Sequence, residues 1–259
     1  MSDKVRLHKR LVLCLSAMCT LALLAGAGGN AVTAFAPQQT HSPQTRRGPL
    51  TGMVIAVDAG HGGYDGGAVG RMSGTPEKEL NLDVALRVQR LLEQEGAQVI
   101  MTRREDIALC DENPPVRKKL QDMQRREAII VGGGADLVLS IHMNEYAGRS
   151  QSGPQVFYRE GCPAGRVLAG ALQEAMIDGL SPSRERTALG GDYYILTLGV
   201  PSALVECGFL SNQEEERKLL DPDYRQLVAQ SIVQGVLRWA ALPGGRPQPL
   251  AAVDHSHDR

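Results

Sequence analysis

Two spacings of apolar residues alternate along the chain. Short aliphatic runs of strand length lie at Met53–Ala59 (MVIAVDA), Ala97–Thr102 (AQVIMT), Ala135–Asn144 (ADLVLSIHMN), Gln155–Tyr158 and Val200–Asn212 (VPSALVECGFLSN). Between them, apolar positions recur every three or four residues, as in Leu80, Val84, Val88 and Leu91, or Val116, Leu120, Met123 and Ile130. The first spacing predicts strands buried in a sheet, and the second predicts helices with one inward face. Further helices are expected over Pro163–Leu180, Glu214–Leu220 and Tyr224–Ala240. Strands alternating with helices predict an α/β sheet, in which ligands bind along the rim formed by the strand ends.

Local punctuation supports these elements. Thr75 is the expected N-cap of the first helix, with Pro76 at its first position and Gly96 closing it. Gly132, Gly133 and Gly134 end the second helix, whose many charges read as a solvated outer face. Glu105–Pro115 and Ser181–Asp192 read as loops, the second carrying Arg184 and Arg186, which are either solvated or available to peptide carboxylates.

The chain ends obey different rules. Lys4, Arg6, Lys9 and Arg10 precede an apolar stretch from Leu11 to Ala27 that finishes in small residues. That order predicts an N-terminal signal peptide or membrane anchor over residues 1–29, and either one exports the rest of the chain. Residues 30–50, rich in Thr, Gln, Pro and Arg without periodicity, read as a flexible linker. Residues 51–242 form the expected catalytic domain, and 243–259 a tail without pattern. Contact with a membrane is expected through the N-terminal segment alone.

Composition narrows the field. With 28 basic against 29 acidic side chains and no basic patch, nucleic acid is not an expected partner. Cys110, Cys162 and Cys207, the three cysteines beyond the leader, are an odd number at irregular spacing. They read as small buried or loop thiols in preference to a Cys110–Cys162 bridge, and they do not form a thiolate metal site.

Only two histidines fall in the expected domain, His61 and His142, and each comes after an aliphatic strand. His61 sits in a glycine-rich turn (Gly60–Gly70), which suggests positive-φ backbone or close approach to a bound group. Glu77, in the first turn of the next helix, is either an ordinary first-turn acid or a third ligand pointing back toward His61. Two imidazoles and a carboxylate with an open fourth position suit a catalytic Zn²⁺. Glu206, read as ending an apolar strand, needs a cation, a raised pKa or a salt bridge to be buried there. In the first two cases it can serve as general base. No compact motif of the HExxH kind is present, so the residues alone lead only as far as a metal hydrolase.

The blocks VDAGHGGYDGGAVG, GTPEKELNL, VIMTR, ADLVLSIHMN and PSALVECGFLSN, in this order, resemble the zinc-dependent N-acetylmuramoyl-L-alanine amidases, which are bacterial cell-wall hydrolases. The resemblance spans about Gly52 to Ala240. It implies a single three-layer α/β domain with a mixed, mostly parallel central sheet of about six strands flanked by helices. It also implies one zinc ion held by His61, Glu77 and His142, with Glu206 as the catalytic glutamate and peptidoglycan as the substrate. The implied reaction is attack of an activated water on the lactyl carbonyl of N-acetylmuramic acid, with Glu206 passing the proton to the amine of L-alanine. The AVGR turn, the VIMTR block and the leader resemble the germination-specific amidases of the spore cortex, whose cleavage prepares muramic δ-lactam formation. An activator protein is a candidate partner, and the sequence does not say whether one is needed. Met143 and Glu145 depart from the small apolar residues usual in that family and imply an altered cleft wall. The short Tyr146–Pro154 connection leaves no room for a self-blocking helix. The competing expectations are a zinc peptidase acting on another amide and a wall-binding module without catalysis.

Overall fold

The structure is a computed structural model, and it describes residues 48–114 and 116–245. The expected leader, most of the linker and most of the tail lie outside the described residues. Among the described residues, no helix is long and apolar enough to cross a membrane.

Six strands form one sheet: β1 (Val54–Ala59), β2 (Gln98–Met101), β3 (Leu137–Asn144), β4 (Gln155–Arg159), β5 (Leu189–Gly191) and β6 (Ser202–Phe209). Their order is β2-β1-β3-β6-β4-β5. Strands β2, β1, β3 and β6 are mutually parallel, β4 runs antiparallel to β6, and β5 is parallel to β4. The helices are α1 (Glu77–Gln94), α2 (Lys118–Gly132), α3 (Pro163–Leu180), α4 (Gln213–Leu220) and α5 (Pro222–Ala241), with one 3₁₀ turn at Tyr194–Leu196. This is the mixed three-layer α/β domain expected.

Strand periodicity decides what each face carries. Ile55, Val57 and Ala59 of β1, Leu137, Leu139 and Ile141 of β3, and Ala203, Val205 and Cys207 of β6 share one core with Leu80, Val84, Val88 and Leu92 of α1, Leu168, Leu172 and Met176 of α3, and Val228, Ile232 and Val236 of α5. The alternate positions face a much smaller core, in which Ala56, Val138 and Leu204 pack with Ala135, Ile130 of α2 and Ile195 and Leu196 of the 3₁₀ turn, and partly buried residues such as Met123 and Phe157 lie against them. The same alternate set also carries the polar residues Asp58, Ser140, His142 and Glu206 toward the strand ends. The thin layer therefore leaves part of the sheet face open, and the polar residues line the opening.

Four local expectations need correction. Pro76, extended at φ −75° and ψ 144°, caps α1 without a side-chain bond, and Glu77 is the first helical residue. Thr75 instead uses its carbonyl to accept from Gly70 N–H at 2.9 Å, closing the preceding turn. Glu206 lies inside β6, not at its end, because Cys207 and Phe209 continue the buried alternation. The Ser181–Asp192 loop contains β5, a three-residue edge strand too short to show periodicity.

The fourth correction concerns α2. Its charges are not all solvated, since Arg126 and Asp122 are buried. Arg126 pairs with Asp58 at 2.6 Å and with Asp122 at 2.7 Å. Asp58 also accepts from Thr102 Oγ1 at 2.7 Å and Ser140 Oγ at 2.6 Å. Burial alone would raise the Asp58 carboxyl, but the guanidinium and the two hydroxyls outweigh it and hold the pKa at about 2. Cys110, Cys162 and Cys207 are free thiols, as preferred over a bridge.

Removing one partner of this buried pair leaves the other charge uncompensated. Asp58→Ala should lower unfolding stability by about 3–5 kcal/mol in denaturant titration at neutral pH, and a loss under about 1 kcal/mol would contradict the role of the pair. Because the folded pKa lies below the ordinary 3.8, the stability from Asp58 is complete above that value and is lost as pH falls from 3.8 toward 2. Acid unfolding of the Asp58→Asn variant should accordingly lack a component of about 2 kcal/mol that the parent shows over that interval.

Candidate metal centre

The strand β1 delivers the chain into the turn Gly60–Gly70, where His61 takes a left-handed backbone with φ 59°. Such a conformation is costly for a residue with a Cβ and needs support from its surroundings. Two buried guanidiniums supply it. Arg126 Nη2 donates to His61 O at 2.7 Å and Nη1 to Ala59 O at 2.8 Å. Arg103 Nε donates to Ala59 O at 2.9 Å, and its Nη2 donates to Gly60 O and Lys78 O, each at 2.9 Å. The carbonyls of three successive residues are thus held by cations, and the His61 ring is aimed by its own backbone.

His142 is in β3 beside a register shift, and it pairs across the sheet with Glu206 of β6. Its ring stands edge-on to His61 with centroids 4.9 Å apart. The fit is made by two glycines. A Cβ on Gly60 would lie 2.3 Å from His142 Cε1, and one on Gly67 would lie 2.4 Å from Glu77 Oε2 and 2.8 Å from the His61 ring. The glycine-rich turn thus serves both expected ends, close approach and, at Gly67 with φ 68°, a left-handed backbone.

Glu77 closes the group. His142 Nδ1 is 3.0 Å from its Oε1 and His61 Nε2 is 3.3 Å from its Oε2. The side chain is buried, yet its oxygens already accept from Ala68 N–H at 2.8 Å, Met143 N–H at 3.1 Å and Asn81 Nδ2 at 3.0 Å. Burial opposes its ionisation, but the two imidazoles hold the pKa well below the usual carboxylate range. Burial likewise opposes charge on His61, and Glu77 and Asp65 together reverse that and raise its pKa. Asp65 Oδ2 lies 3.0 Å from the other ring nitrogen, His61 Nδ1.

The donor set fits a metal ion. Ligand atoms of His61, Glu77 and His142 lie within 4.8 Å of one another. His142 Nδ1 and His61 Nε2 each face a different oxygen of Glu77, so two nitrogens and a carboxylate, the donor types that zinc takes, converge on one point. A carboxylate has about four acceptor sites, and three N–H donors leave roughly one for a cation. Two protonated imidazoles would overfill it.

The group opens on a cleft of about 440 Å³ bounded by Lys119 and Met123 of α2, Tyr193, Tyr194 and Ile195, and Leu204 and Glu206 of β6. Tyr194 Oη donates to Glu127, tying the 3₁₀ turn to α2. Glu206 Oε2 is buried without a partner. Burial pushes the Glu206 carboxyl up to about 7, with His142 and His61 drawing it down and Glu77 pushing it up. An acid in that range can give and take a proton near neutrality.

All four residues singled out in the sequence therefore meet here. Arg103 and Arg126, which hold the turn, were not singled out. Arg103 enters the sequence reading only as the last residue of the VIMTR block, without a role, and Arg126 only as one charge on a helix read as solvated. Glu216 of α4 is another such residue, accepting from Met72 N–H at 3.0 Å, Ser73 N–H at 2.9 Å and Ser73 Oγ at 2.9 Å in the turn before α1. Arg186 lies away from the group, donating to Ser152 O at 2.7 Å and stacking 4.8 Å from the Phe209 ring. Met143 and Glu145 line the cleft, and the ten residues between β3 and β4 contain no helix.

Comparison with known proteins identifies the family of the chain. Residues 55–238 match the model of a family described as N-acetylmuramoyl-L-alanine amidase. The chain is 38% identical to the germination-specific N-acetylmuramoyl-L-alanine amidase of Bacillus subtilis, an alignment covering 77% of this chain and 85% of that relative. It is 31% identical to the amidase AmiC of Escherichia coli over 77% of this chain and 57% of the relative. Among solved structures it is similar to the CwlD amidase of Clostridioides difficile in complex with the GerS lipoprotein. That likeness has a TM-score of 0.69 at 33% identity, covering 72% of this chain and 97% of the other. From the matched length, the shared fold and the relatives together, the chain belongs to the N-acetylmuramoyl-L-alanine amidase family.

Proposed function

We propose that this chain is a zinc-dependent peptidoglycan hydrolase that cleaves the amide between N-acetylmuramic acid and L-alanine. His61, Glu77 and His142 hold the ion, and Glu206 is the general base. The observation that carries the reading is the convergence of those three ligand atoms within 4.8 Å beside a buried, unpaired carboxylate oxygen. Two nitrogens and one carboxylate oxygen suit Zn²⁺ better than the harder cations, which prefer all-oxygen sites.

When bound, the ion would polarise the amide carbonyl and make a nearby water more acidic. Glu206 takes a proton from the water that attacks the lactyl carbonyl and delivers it to the departing nitrogen of L-alanine. Its position in β6, directly across from His142, sets it within the same cleft as the ligands. The cleft walls from α2 and the Tyr193–Ile195 segment confine the substrate on the open side of the sheet.

The name of the 38%-identical relative supports a role in the spore cortex or in germination, and cell-wall amidase relatives support action outside the cytoplasm. The solved complex of CwlD with a lipoprotein supports a protein partner for this chain.

Two experiments test the reading. Glu206→Gln should keep zinc by elemental analysis and lose turnover by about 100-fold or more, and turnover within tenfold of the parent would remove Glu206 from the role. Purified peptidoglycan, from cortex and from vegetative walls, should yield new L-alanine amino termini without new reducing sugar ends. A chelator should stop the release and added zinc restore it. New termini at any other residue would favour a peptidase, and no product from either wall would favour a binding module.

A further inference from the structure

We infer that Asn81 is a positioning residue for the metal centre, an assignment that rests on the zinc reading above. Asn81 lies on α1 one turn beyond Glu77, so the two side chains share a helix face. It is fully buried. Its Nδ2 group donates to Glu77 Oε1 at 3.0 Å and to Gly60 O at 3.2 Å. One amide thus joins the ligand carboxylate to the backbone immediately before His61. Gly60 is also the residue on which the His142 ring rests, with no space for a Cβ between them. Asn81 therefore touches the support of all three ligands from behind two residues that line the cleft, Gly60 and Glu77, and is not itself in the lining.

The other half of the amide shows why asparagine stands here. Asn81 Oδ1 is buried and has no hydrogen-bond partner. Both neighbours of the Nδ2 group are acceptors, so turning the amide over would set two more oxygens against an oxygen. An unpaired buried carbonyl is a net cost to folding, and a leucine of similar shape would avoid it. An asparagine held with half its amide unpaired is kept for the half that donates.

That donation does work that the remaining bonds do not. Without Asn81, Glu77 would keep Ala68 N–H and Met143 N–H, and Gly60 O would keep Arg103. The fold would persist, but the carboxylate would lose the donor that ties Oε1 to the His61 turn. Groups that orient metal ligands in this way change affinity by about 10–100-fold when removed.

The test is the zinc dissociation constant of the full chain carrying Asn81→Leu, measured by competition with a chromogenic chelator after stripping and reloading. The thermal midpoint of the metal-free protein is tracked in parallel. The expected result is zinc binding at least about tenfold weaker, with the metal-free protein still unfolding in one cooperative transition. A change smaller than tenfold overturns the inference, since a merely structural asparagine would lower the midpoint and leave the affinity alone. Should Asn81→Leu fail to fold, Asn81→Ala is judged by the same affinity threshold. Parent protein that binds no zinc would instead overturn the zinc reading itself, which keeps the two failures separate.

Discussion

A single buried carboxylate organises this molecule. Glu77 begins α1 on one side of the sheet, and its oxygens reach the two histidines supplied by the β1 turn and by β3. An ionised group at that depth is tolerable only if each lone pair is engaged. Three N–H donors engage most of them, and the two imidazoles stand at the oxygens beside what remains, a donor set that could hold a metal ion. The glycines at positions 60 and 67 are a consequence of this constraint, because a Cβ at either would occupy the space of a ligand.

The second structural demand is the pose of His61. A left-handed histidine in a turn would relax if its carbonyls were free, and the chain prevents this with Arg103 and Arg126. The cost of burying Arg126 is offset by Asp58 and Asp122, and Asp58 is in turn held by Thr102 and Ser140 from the strands on either side. Folding of the sheet and preorganisation of the centre are therefore one process. Side chains from β1, β2, β3 and α2 must be in register before the His61 turn is stable. The thin second layer has a matching function, since a full helical layer on that face would cover Glu206 and close the cleft.

Much of this was legible in the sequence, and the reasons differ by element. Strands β1, β3 and β6 show as aliphatic runs because one face is buried in the main core and part of the other in the smaller one, and α1 shows because its apolar stripe packs on one core. The candidate ligands stood out because the expected domain has only two histidines and both come after strands. The obscure residues were those whose environment comes from distant segments. Arg126 looks solvated on a charged helix until Asp58, 68 positions earlier, is brought against it. Glu206 looked like a strand end because a buried acid interrupts apolar alternation, whereas the cleft over that part of the sheet lets the strand continue. Strand β5 has too few residues to show any period, and Asn81 reads as one polar position on a helix until Gly60 is seen beside it.

The central claim, that one divalent ion sits where His61, Glu77 and His142 converge, is tested most directly by anomalous diffraction at the zinc edge from crystals of the zinc-loaded protein. The account predicts one strong peak within about 2.0–2.2 Å of a nitrogen from each histidine and an oxygen of Glu77. A peak bound elsewhere, or no peak from protein that is folded and supplied with zinc, would contradict it.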